Sequence, residues 1–127
     1  MRFDTGPAAA RNLVLIVDDD ASVRGALKFA LEIEGFAVRV YADGGALLAE
    51  AELPRCGCLV ADFTLPHIDG LDLIERMRLR QPGLPAILIT TNPKPAVHSR
   101  AHRQNVPIIE KPLLDDTLVE AVRKALA

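Results

Sequence analysis

The sequence lacks a hydrophobic run long enough to cross a membrane. Half of its 127 residues are hydrophobic, but no apolar stretch approaches the roughly 18 residues that a membrane-spanning helix requires. Residues 1–12 contain Gly6-Pro7 and three alanines without a long apolar stretch, so we expect a flexible N-terminal arm and no export signal. The remaining length predicts one domain with its own core, over residues 13–127. We therefore expect a cytoplasmic protein without membrane insertion.

The sequence also lacks an excess of positive charge and is poor in cysteine. A net charge of −2 argues against direct nucleic-acid binding, because neutralising phosphates requires a basic surface. On one strand, Cys56 and Cys58 would point the same way with Cα atoms about 6.5 Å apart, which is awkward for a disulfide. Two thiols also cannot complete a structural zinc site. We interpret them as ordinary thiols, with a redox or metal role as the alternative.

Five short apolar runs predict strands. Three of them are almost continuously apolar, as expected for strands that are covered on both faces. The run around Arg39 alternates, and the last run begins with Pro107, so both suit the edges of a sheet. The predicted strands are Leu13–Val17, Ala37–Tyr41, Cys58–Ala61, Ala86–Thr90 and Pro107–Glu110.

Helical periodicity falls between these runs. The first helix has an apolar stripe from Val23 to Leu31 that includes Ala26 and Ala30, and Gly35 stands at its C-terminal cap. The other helices are predicted over 46–52, 70–80, 96–104 and from Asp115-Asp116 onward. Alternating strands and helices predict an α/β fold, a doubly wound five-stranded parallel sheet of order 2-1-3-4-5 in a flavodoxin-like three-layer sandwich.

Polar side chains occur where the predicted strands end. Asp18 and Asp19 follow the first strand, Asp62 follows the third, Thr90 ends the fourth and Lys111 follows the fifth. Sites in such sheets form at the carboxyl ends of the strands, near the switch point between the first and third strands, so we expect these side chains to converge. Each also has a purely structural explanation. The acids after the first strand, for example, would serve equally well as caps of the next helix.

The set suggests phosphoryl transfer to a carboxylate. Mg²⁺ prefers hard oxygen ligands, so Asp19 and Asp62 would hold it and screen the repulsion from an incoming phosphoryl group. The Lys111 ammonium would add positive charge, and the Thr90 hydroxyl would hydrogen-bond a phosphoryl oxygen. A carboxylate has no proton to lose at neutral pH, so no general base is needed and we assign His67 no role.

Four short motifs occur in order over nearly the whole chain, from about Leu13 to Ala127. They are Val17-Asp18-Asp19, Asp62-Phe63-Thr64-Leu65-Pro66-His67-Ile68-Asp69-Gly70, Ile87-Leu88-Ile89-Thr90 and Glu110-Lys111-Pro112. In these motifs the chain resembles the receiver domain of bacterial two-component response regulators. The resemblance implies a switch that receives a phosphoryl group from a histidine kinase or phosphotransfer protein and signals to an output protein.

The resemblance also implies roles for single residues. Asp62 would be the phosphoacceptor. Asp19 and Asp62 would bind Mg²⁺ through their side chains, the Thr64 carbonyl would be a third ligand, and Asp18 would contribute through water.

The phosphoryl group would be contacted by two further residues. The resemblance assigns this role to Thr90 and Lys111, and it implies a cis Lys111-Pro112 bond, which proline permits at modest cost.

Several positions depart from the usual receiver pattern. Ile108 stands where an aromatic residue often swings inward, so aromatic signalling is not available in its usual form. Thr91 replaces a small residue and would narrow the access of phosphodonors. Pro93 and Pro95 are expected to delay or stiffen the start of the fourth helix. Asn105 replaces a glycine and would need a positive φ.

The fourth predicted helix is unusually polar. It contains His98, Arg100, His102 and Arg103 with little apolar content. The two histidines are four residues apart, as paired metal ligands are, but no carboxylate or thiol is near them in sequence. We interpret the helix as a solvated basic docking face, with an exposed helix without a partner as the alternative.

The sequence therefore predicts a phosphorylation-dependent switch that catalyses its own Mg²⁺-dependent phosphorylation and slow dephosphorylation. A population shift would alter the face of helix 4, strand 5 and helix 5, where an output protein or a second copy of the chain would bind. The alternatives are a scaffold that no longer cycles phosphate and a fragment of a larger regulator, although the arm and the closing helix favour a stand-alone protein. A flavodoxin-like cofactor binder would need a phosphate loop where this chain has acids.

Overall fold

Strands and helices alternate along the chain. The computed structural model describes residues 12–51, 55–111, 113 and 116–127. The strands are β1 (Leu13–Val17), β2 (Ala37–Tyr41), β3 (Cys58–Asp62), β4 (Ala86–Thr90) and β5 (Ile108–Glu110). The helices are α1 (Ala21–Ile33), α2 (Gly44–Leu48), α3 (Gly70–Arg80), α4 (Pro95–Arg103) and α5 (Thr117–Leu126).

The strands form one parallel sheet in the order β2-β1-β3-β4-β5. The inner strands β1, β3 and β4 are buried along their full length. The edge strands β2 and β5 are partly exposed. Strands that helices cover on both faces have to be apolar throughout, which explains the composition of the inner three. The predicted order and parallel topology are confirmed.

Separate cores lie on the two faces of the sheet. Leu15 and Leu59 belong to a core that is completed by apolar side chains of α2, α3 and α4. Val14 belongs to the opposite core, which α1 and α5 cover with residues such as Leu31 and Val122. Successive side chains of a strand point to opposite faces, so the central strands supply both cores. The result is the predicted three-layer sandwich, with α1 and α5 on one side.

Aspartates cap three of the helices that start near the sheet's carboxyl edge. Asp20 caps α1, Asp43 caps α2 and Asp69 caps α3, each accepting a hydrogen bond from a backbone N–H in the first turn. Gly35 follows α1 with a φ of 96°, which confirms its predicted place after the helix.

Two predicted strand boundaries were wrong by one residue. β3 includes Asp62, so the ladder carries this side chain directly to the sheet edge. β5 begins at Ile108 because Pro107 has no backbone N–H to donate, although its carbonyl accepts the N–H of Leu88 at 2.9 Å.

Three predicted helix boundaries also need correction. The second helix is Gly44–Leu48 and not 46–52, and residues 52–54 lie outside the described residues. The fourth helix starts at Pro95, earlier than expected, because proline suits the first helical position. The fifth starts at Thr117, with Asp116 before it, and Asp115 lies outside the described residues.

Candidate functional site

Three carboxylates converge at the carboxyl ends of β1 and β3. One oxygen from each of Asp18, Asp19 and Asp62 lies within 4.8 Å of the others. Asp18 and Asp62 are only 1% and 7% exposed, whereas Asp19 is exposed. The convergence follows from the topology, since β1 and β3 are direct neighbours that end at the same edge. Such a set of hard oxygen donors fits the predicted Mg²⁺.

The third acid of the run after β1 has a different role. Asp20 Oδ1 accepts hydrogen bonds from the backbone N–H groups of Ser22 at 2.8 Å and Val23 at 3.2 Å. Its own N–H donates to Asp18 Oδ1 at 2.9 Å. Asp20 therefore serves as the helix cap, while Asp18 and Asp19 contribute to the acidic cluster.

Lys111 joins two of the acids. Its Nζ donates to Asp18 Oδ2 at 3.1 Å and to Asp62 Oδ2 at 3.0 Å. Its backbone N–H donates to the Thr90 carbonyl at 2.8 Å, which continues the β4–β5 ladder. Burial disfavours the ammonium, but the hydrogen bonds and charges of the two acids outweigh burial and raise the pKa of Lys111. Lys111 is therefore a fixed cation beside both carboxylates.

Asp62 is held in an unfavourable electrostatic environment. Burial is the largest influence and raises the pKa of its carboxyl group above the ordinary 3.8. The hydrogen bond from Lys111 lowers this pKa, and the neighbouring charge of Asp18 raises it again. Two buried carboxylates thus share one ammonium, and a bound divalent cation would stabilise the ionised cluster.

Two threonines lie near Asp62: Thr64 follows it by two residues, and Thr90 ends the neighbouring strand β4. The Thr64 N–H donates to Asp62 Oδ1 at 3.2 Å, and the Thr64 side chain is exposed. Thr90 is buried at the end of β4, one residue beyond Ile89, the register partner of Asp62. All the predicted site residues therefore lie at one edge of the sheet, with Asp18, Asp62 and Lys111 in direct contact.

Two residues to which the sequence assigned no role in the site contact the backbone of the site residues. Gly70, at the start of α3, donates its N–H to the Phe63 carbonyl at 2.9 Å. A Cβ at Gly70 would lie 2.4 Å from the Asp62 carbonyl oxygen, so only glycine fits this contact. Arg24 of α1 donates through Nη1 to the Asp18 carbonyl at 2.8 Å. Gly70 ends the motif that begins at Asp62, whereas nothing in the sequence indicates the contact made by Arg24.

The polar helix α4 differs from the prediction at one position. Arg100 is not a freely solvated side chain, because its guanidinium forms salt bridges with Asp69 at 3.0 Å and Asp72 at 2.9 Å. Both acids belong to the start of α3, which packs beside α4 in the folded protein. His98 and His102 are exposed, as expected for a solvated face.

The departures from the usual receiver pattern have distinct outcomes. Ile108 is partly buried and packs against the same core as Ala101 of α4. Asn105 has the predicted positive φ, 56°. Thr91 is exposed. Pro112 lies outside the described residues, so the cis bond stays a prediction.

The cysteines are free and buried. Burial raises the pKa of Cys56 to about 11 and that of Cys58 to about 12. Both thiols are consequently protonated at neutral pH, in keeping with their interpretation as ordinary thiols.

Comparison with known protein families shows the family to which this chain belongs. The family described as response regulator receiver domain matches residues 14–123. The chain belongs to this family. The matched receiver segment includes the three clustered acids, Thr90 and Lys111.

Receiver proteins from several organisms are similar to this chain. The transcriptional regulatory protein FixJ of Bradyrhizobium diazoefficiens is 32% identical over 114 residues, which cover 89% of this chain and 56% of that protein. FixJ of Rhizobium meliloti is 35% identical over 113 residues, with coverage of 88% and 55%. The chain thus spans about half the length of these relatives.

A solved receiver structure shares the fold closely. The CheY-like response regulator receiver domain protein from Methanospirillum hungatei has a TM-score of 0.83 and 29% identity, over 90% of this chain and 92% of that chain. Within the described residues of our receiver domain, no helix has the length and hydrophobicity to cross a membrane. The boundary between an arm and the domain near residue 12 stays a prediction, since residues 1–11 lie outside the described residues.

Proposed function

We propose that this receiver domain is a phosphorylation-dependent switch with Asp62 as its phosphoacceptor. The observation that carries the proposal is the contact of a single ammonium, Lys111 Nζ, with the buried carboxylates of Asp18 and Asp62. Phosphoryl transfer is catalysed mainly by positioning and charge neutralisation. This edge of the sheet supplies both, and a carboxylate is a competent covalent nucleophile.

In the transfer step, a carboxylate oxygen of Asp62 attacks the phosphorus of a phosphohistidine. The O–P bond forms as the P–N bond breaks, and the electron pair of the P–N bond leaves with the imidazole. Asp62 loses no proton in this step, because the attacking group is the carboxylate, to which Lys111 Nζ donates at 3.0 Å. The Lys111 ammonium and the Thr90 hydroxyl then donate to oxygens of the transferred group. Slow hydrolysis of the acyl phosphate returns the domain to its starting state.

The proposed Mg²⁺ ligands are the side chains of Asp19 and Asp62 and the Thr64 carbonyl, with Asp18 acting through water. The bound ion would neutralise charge on the carboxylates and on the phosphoryl oxygens. The chain prepares these donors in advance, since the N–H groups of Asp20 and Thr64 hold carboxylate oxygens of Asp18 and Asp62.

We propose that a histidine kinase or phosphotransfer protein delivers the phosphoryl group by docking along α1. Phe29 and Ile33 are large apolar side chains that are 67% and 64% exposed. Ala26 and Ala30, expected on the buried stripe, are also exposed. A cavity of about 480 Å³ between α1 and α5 connects these alanines with Lys111. An exposed apolar helix whose alanines line a cavity that reaches Lys111 supports a protein donor.

The proposed output surface is the face of α4, β5 and α5. Only residues 91–94 separate Thr90 from α4, so a shift of Thr90 toward the phosphoryl group is transmitted to that helix. The proposed partners are a separate output protein or a second copy of this chain. Direct nucleic-acid binding is not proposed, because the chain has a net charge of −2. Membrane insertion is not proposed either, and the proposed location is the cytoplasm.

A scaffold that no longer cycles phosphate is not favoured. Such a scaffold would have no need to keep Asp18, Asp62 and Lys111 in mutual contact, since two buried acids and one ammonium cost desolvation energy. The departures at Ile108 and Thr91 lie outside this contact. A flavodoxin-like cofactor site is not proposed either, because this chain has acids where such a site needs a phosphate loop.

The proposed function is tested by incubation with Mg²⁺ and acetyl phosphate, followed by intact-mass measurement. We expect wild-type protein to gain one phosphoryl group and Asp62→Ala to gain none. Glu75→Ala, which removes an exposed carboxylate of α3, is the matched control and should be labelled like the wild type. Equal labelling of Asp62→Ala would place the acceptor elsewhere. No labelling of the wild type, even by a phosphohistidine protein, would support the scaffold.

A further inference from the structure

Helix α4 is attached to the domain with little apolar burial. Ala101 is the buried residue of this helix, and Val97 is only partly buried against the core. Lys94 at its N-cap makes no capping hydrogen bond through its side chain. Beyond its C-terminal end, Arg78 of α3 donates to the carbonyl of Gln104. Since apolar contacts are few, polar contacts with α3 have a large share in setting the position of α4.

The central polar contact is made by Arg100. Its Nη1 lies 3.0 Å from Asp69 Oδ2, and its Nη2 lies 2.9 Å from Asp72 Oδ1 and 3.4 Å from Asp69 Oδ1. The planar guanidinium thus contacts two carboxylates at once, a geometry in which arginine binds more strongly than lysine. The side chains of Arg100 and Asp69 are 32% and 29% exposed, so the contact is only partly screened by water.

The acids that Arg100 contacts are joined closely to the phosphoacceptor. Asp69 is the N-cap of α3, and the next residue, Gly70, is hydrogen-bonded to the Phe63 carbonyl at 2.9 Å. Gly70 also lies directly against the Asp62 carbonyl. A movement of α4 relative to α3 therefore has to break or rearrange a contact with the helix end that touches Asp62.

The N-terminal end of α4 is connected to the site by a second route. Residues 91–94 join it to Thr90, and Asn92 in this connection has a positive φ of 51°. Lys111 spans Asp18 and Asp62, so the structure has the unphosphorylated arrangement of the site. The Arg100 salt bridges are present together with this arrangement.

We infer that Arg100 is a positioning residue that holds α4 in its resting position through Asp69 and Asp72 and thereby restrains phosphorylation of Asp62. This inference rests on the proposed function. An interaction made in the resting state alone lowers the population of the phosphorylation-competent state. Loss of the interaction raises this population, and the labelling rate rises by the same factor while the competent state is the minor one.

The test is the rate at which Mg²⁺ and acetyl phosphate label the folded variants, followed by intact mass. Arg100→Gln should be labelled about three to five times faster than the wild type, the factor expected for a pair of partly exposed salt bridges. Arg103→Gln removes the same charge from the same helix and is the matched control. Arg103 is exposed and has no salt bridge with any residue that the structure describes, so its loss should leave the rate unchanged.

Further variants separate this role from a loss of structure. Asp72→Asn should also speed labelling, and the double variant with Arg100→Gln should be no faster than Arg100→Gln alone. Arg100→Lys should restore part of the restraint, because it keeps the charge without the planar fork. Raising the salt concentration should narrow the difference between wild type and Arg100→Gln, because salt screens a partly exposed ion pair.

The possible failures are distinguishable. If Arg100→Gln and Asp72→Asn are both labelled at or below the wild-type rate, the restraint is refuted while the proposed function stands. If Arg103→Gln accelerates labelling as much as Arg100→Gln, the effect is one of net charge and the inference is also refuted. If the wild type is not labelled at Asp62, the proposed function fails and the inference fails with it.

Discussion

Substitution of Gly70 by alanine tests how closely α3 has to approach the phosphoacceptor. A Cβ at this position would lie 2.4 Å from the Asp62 carbonyl oxygen and 2.9 Å from its carbonyl carbon. It would also lie 2.8 Å from Leu88 Cδ1. The Leu88 side chain is fully buried in the core. Neither a backbone carbonyl at the end of the central strand nor a packed leucine moves away at low cost, so the start of α3 has to shift instead.

The expected loss of stability lies at the upper end of the range found when an extra methyl group overpacks a buried site. We expect Gly70→Ala to lower the free energy of unfolding by about 3 kcal/mol, because the closest atoms belong to the backbone. For a domain of this size, that corresponds to a fall in melting temperature of about 10 °C. The same shift moves Asp62, so labelling by acetyl phosphate should slow as well. Urea and thermal unfolding, followed by circular dichroism, measure the first effect.

The matched control is Gly25→Ala in α1. A Cβ at Gly25 would meet nothing within 4 Å, and alanine favours a helix over glycine, so this variant should gain about 0.5–1 kcal/mol. The same substitution is therefore expected to destabilise the protein at Gly70 and to stabilise it at Gly25, because the contacts at the two positions differ. A Gly70→Ala protein within about 0.5 kcal/mol of the wild type would refute the close approach of α3 to Asp62.

Two further predictions concern the charged contacts. Lys111→Met leaves Asp18 and Asp62 buried without their ammonium, so the free energy of unfolding in EDTA should fall by about 2 kcal/mol. Added Mg²⁺ should stabilise the variant more than the wild type. Equal urea midpoints of the wild type and Lys111→Met in EDTA would contradict this prediction. Burial raises the pKa of Asp69, but Arg100 and backbone hydrogen bonds outweigh burial and the net pKa is lowered. Its stabilisation is therefore complete above the ordinary value of 3.8 and is lost as pH falls through the folded pKa. Asp69→Asn keeps the cap, so its stability deficit relative to wild type should shrink between about pH 6 and pH 3. A constant deficit would exclude the ionised carboxylate as its source.

The elements and their order could be predicted because the signals are local. β1, β3 and β4 are buried along their length, and they are apolar except for Asp62 at the end of β3 and Thr90 at the end of β4. Helix periodicity located α3 from Gly70 to Arg80 without error. The boundaries of α2 and α4 were wrong, because a short helix has little periodicity and Pro95 favours a helix start instead of delaying it.

The sequence could not predict which of the three acids after β1 caps the helix and which join the acidic cluster. Asp20 caps α1 while Asp18 turns into the buried cluster, and this depends on where the backbone leaves the strand. Likewise, nothing near Arg100 in the sequence indicates its partner Asp69, which is 31 residues away. Polar side chains on a predicted surface helix are usually solvated, which made the basic docking face the natural expectation.

The sequence by itself determined the layers of the fold, the order of its elements and the types of side chain at the carboxyl edge, because period, capping and turn chemistry act over a few residues. Only the tertiary structure decided which of those side chains meet. Lys111 reaches Asp18 across 93 residues of chain, Gly70 lies against Asp62, and Arg100 joins α4 to α3. These contacts depend on how the complete sheet and helices pack together. The packing of elements that are distant in the sequence cannot be predicted from patterns of a few neighbouring residues.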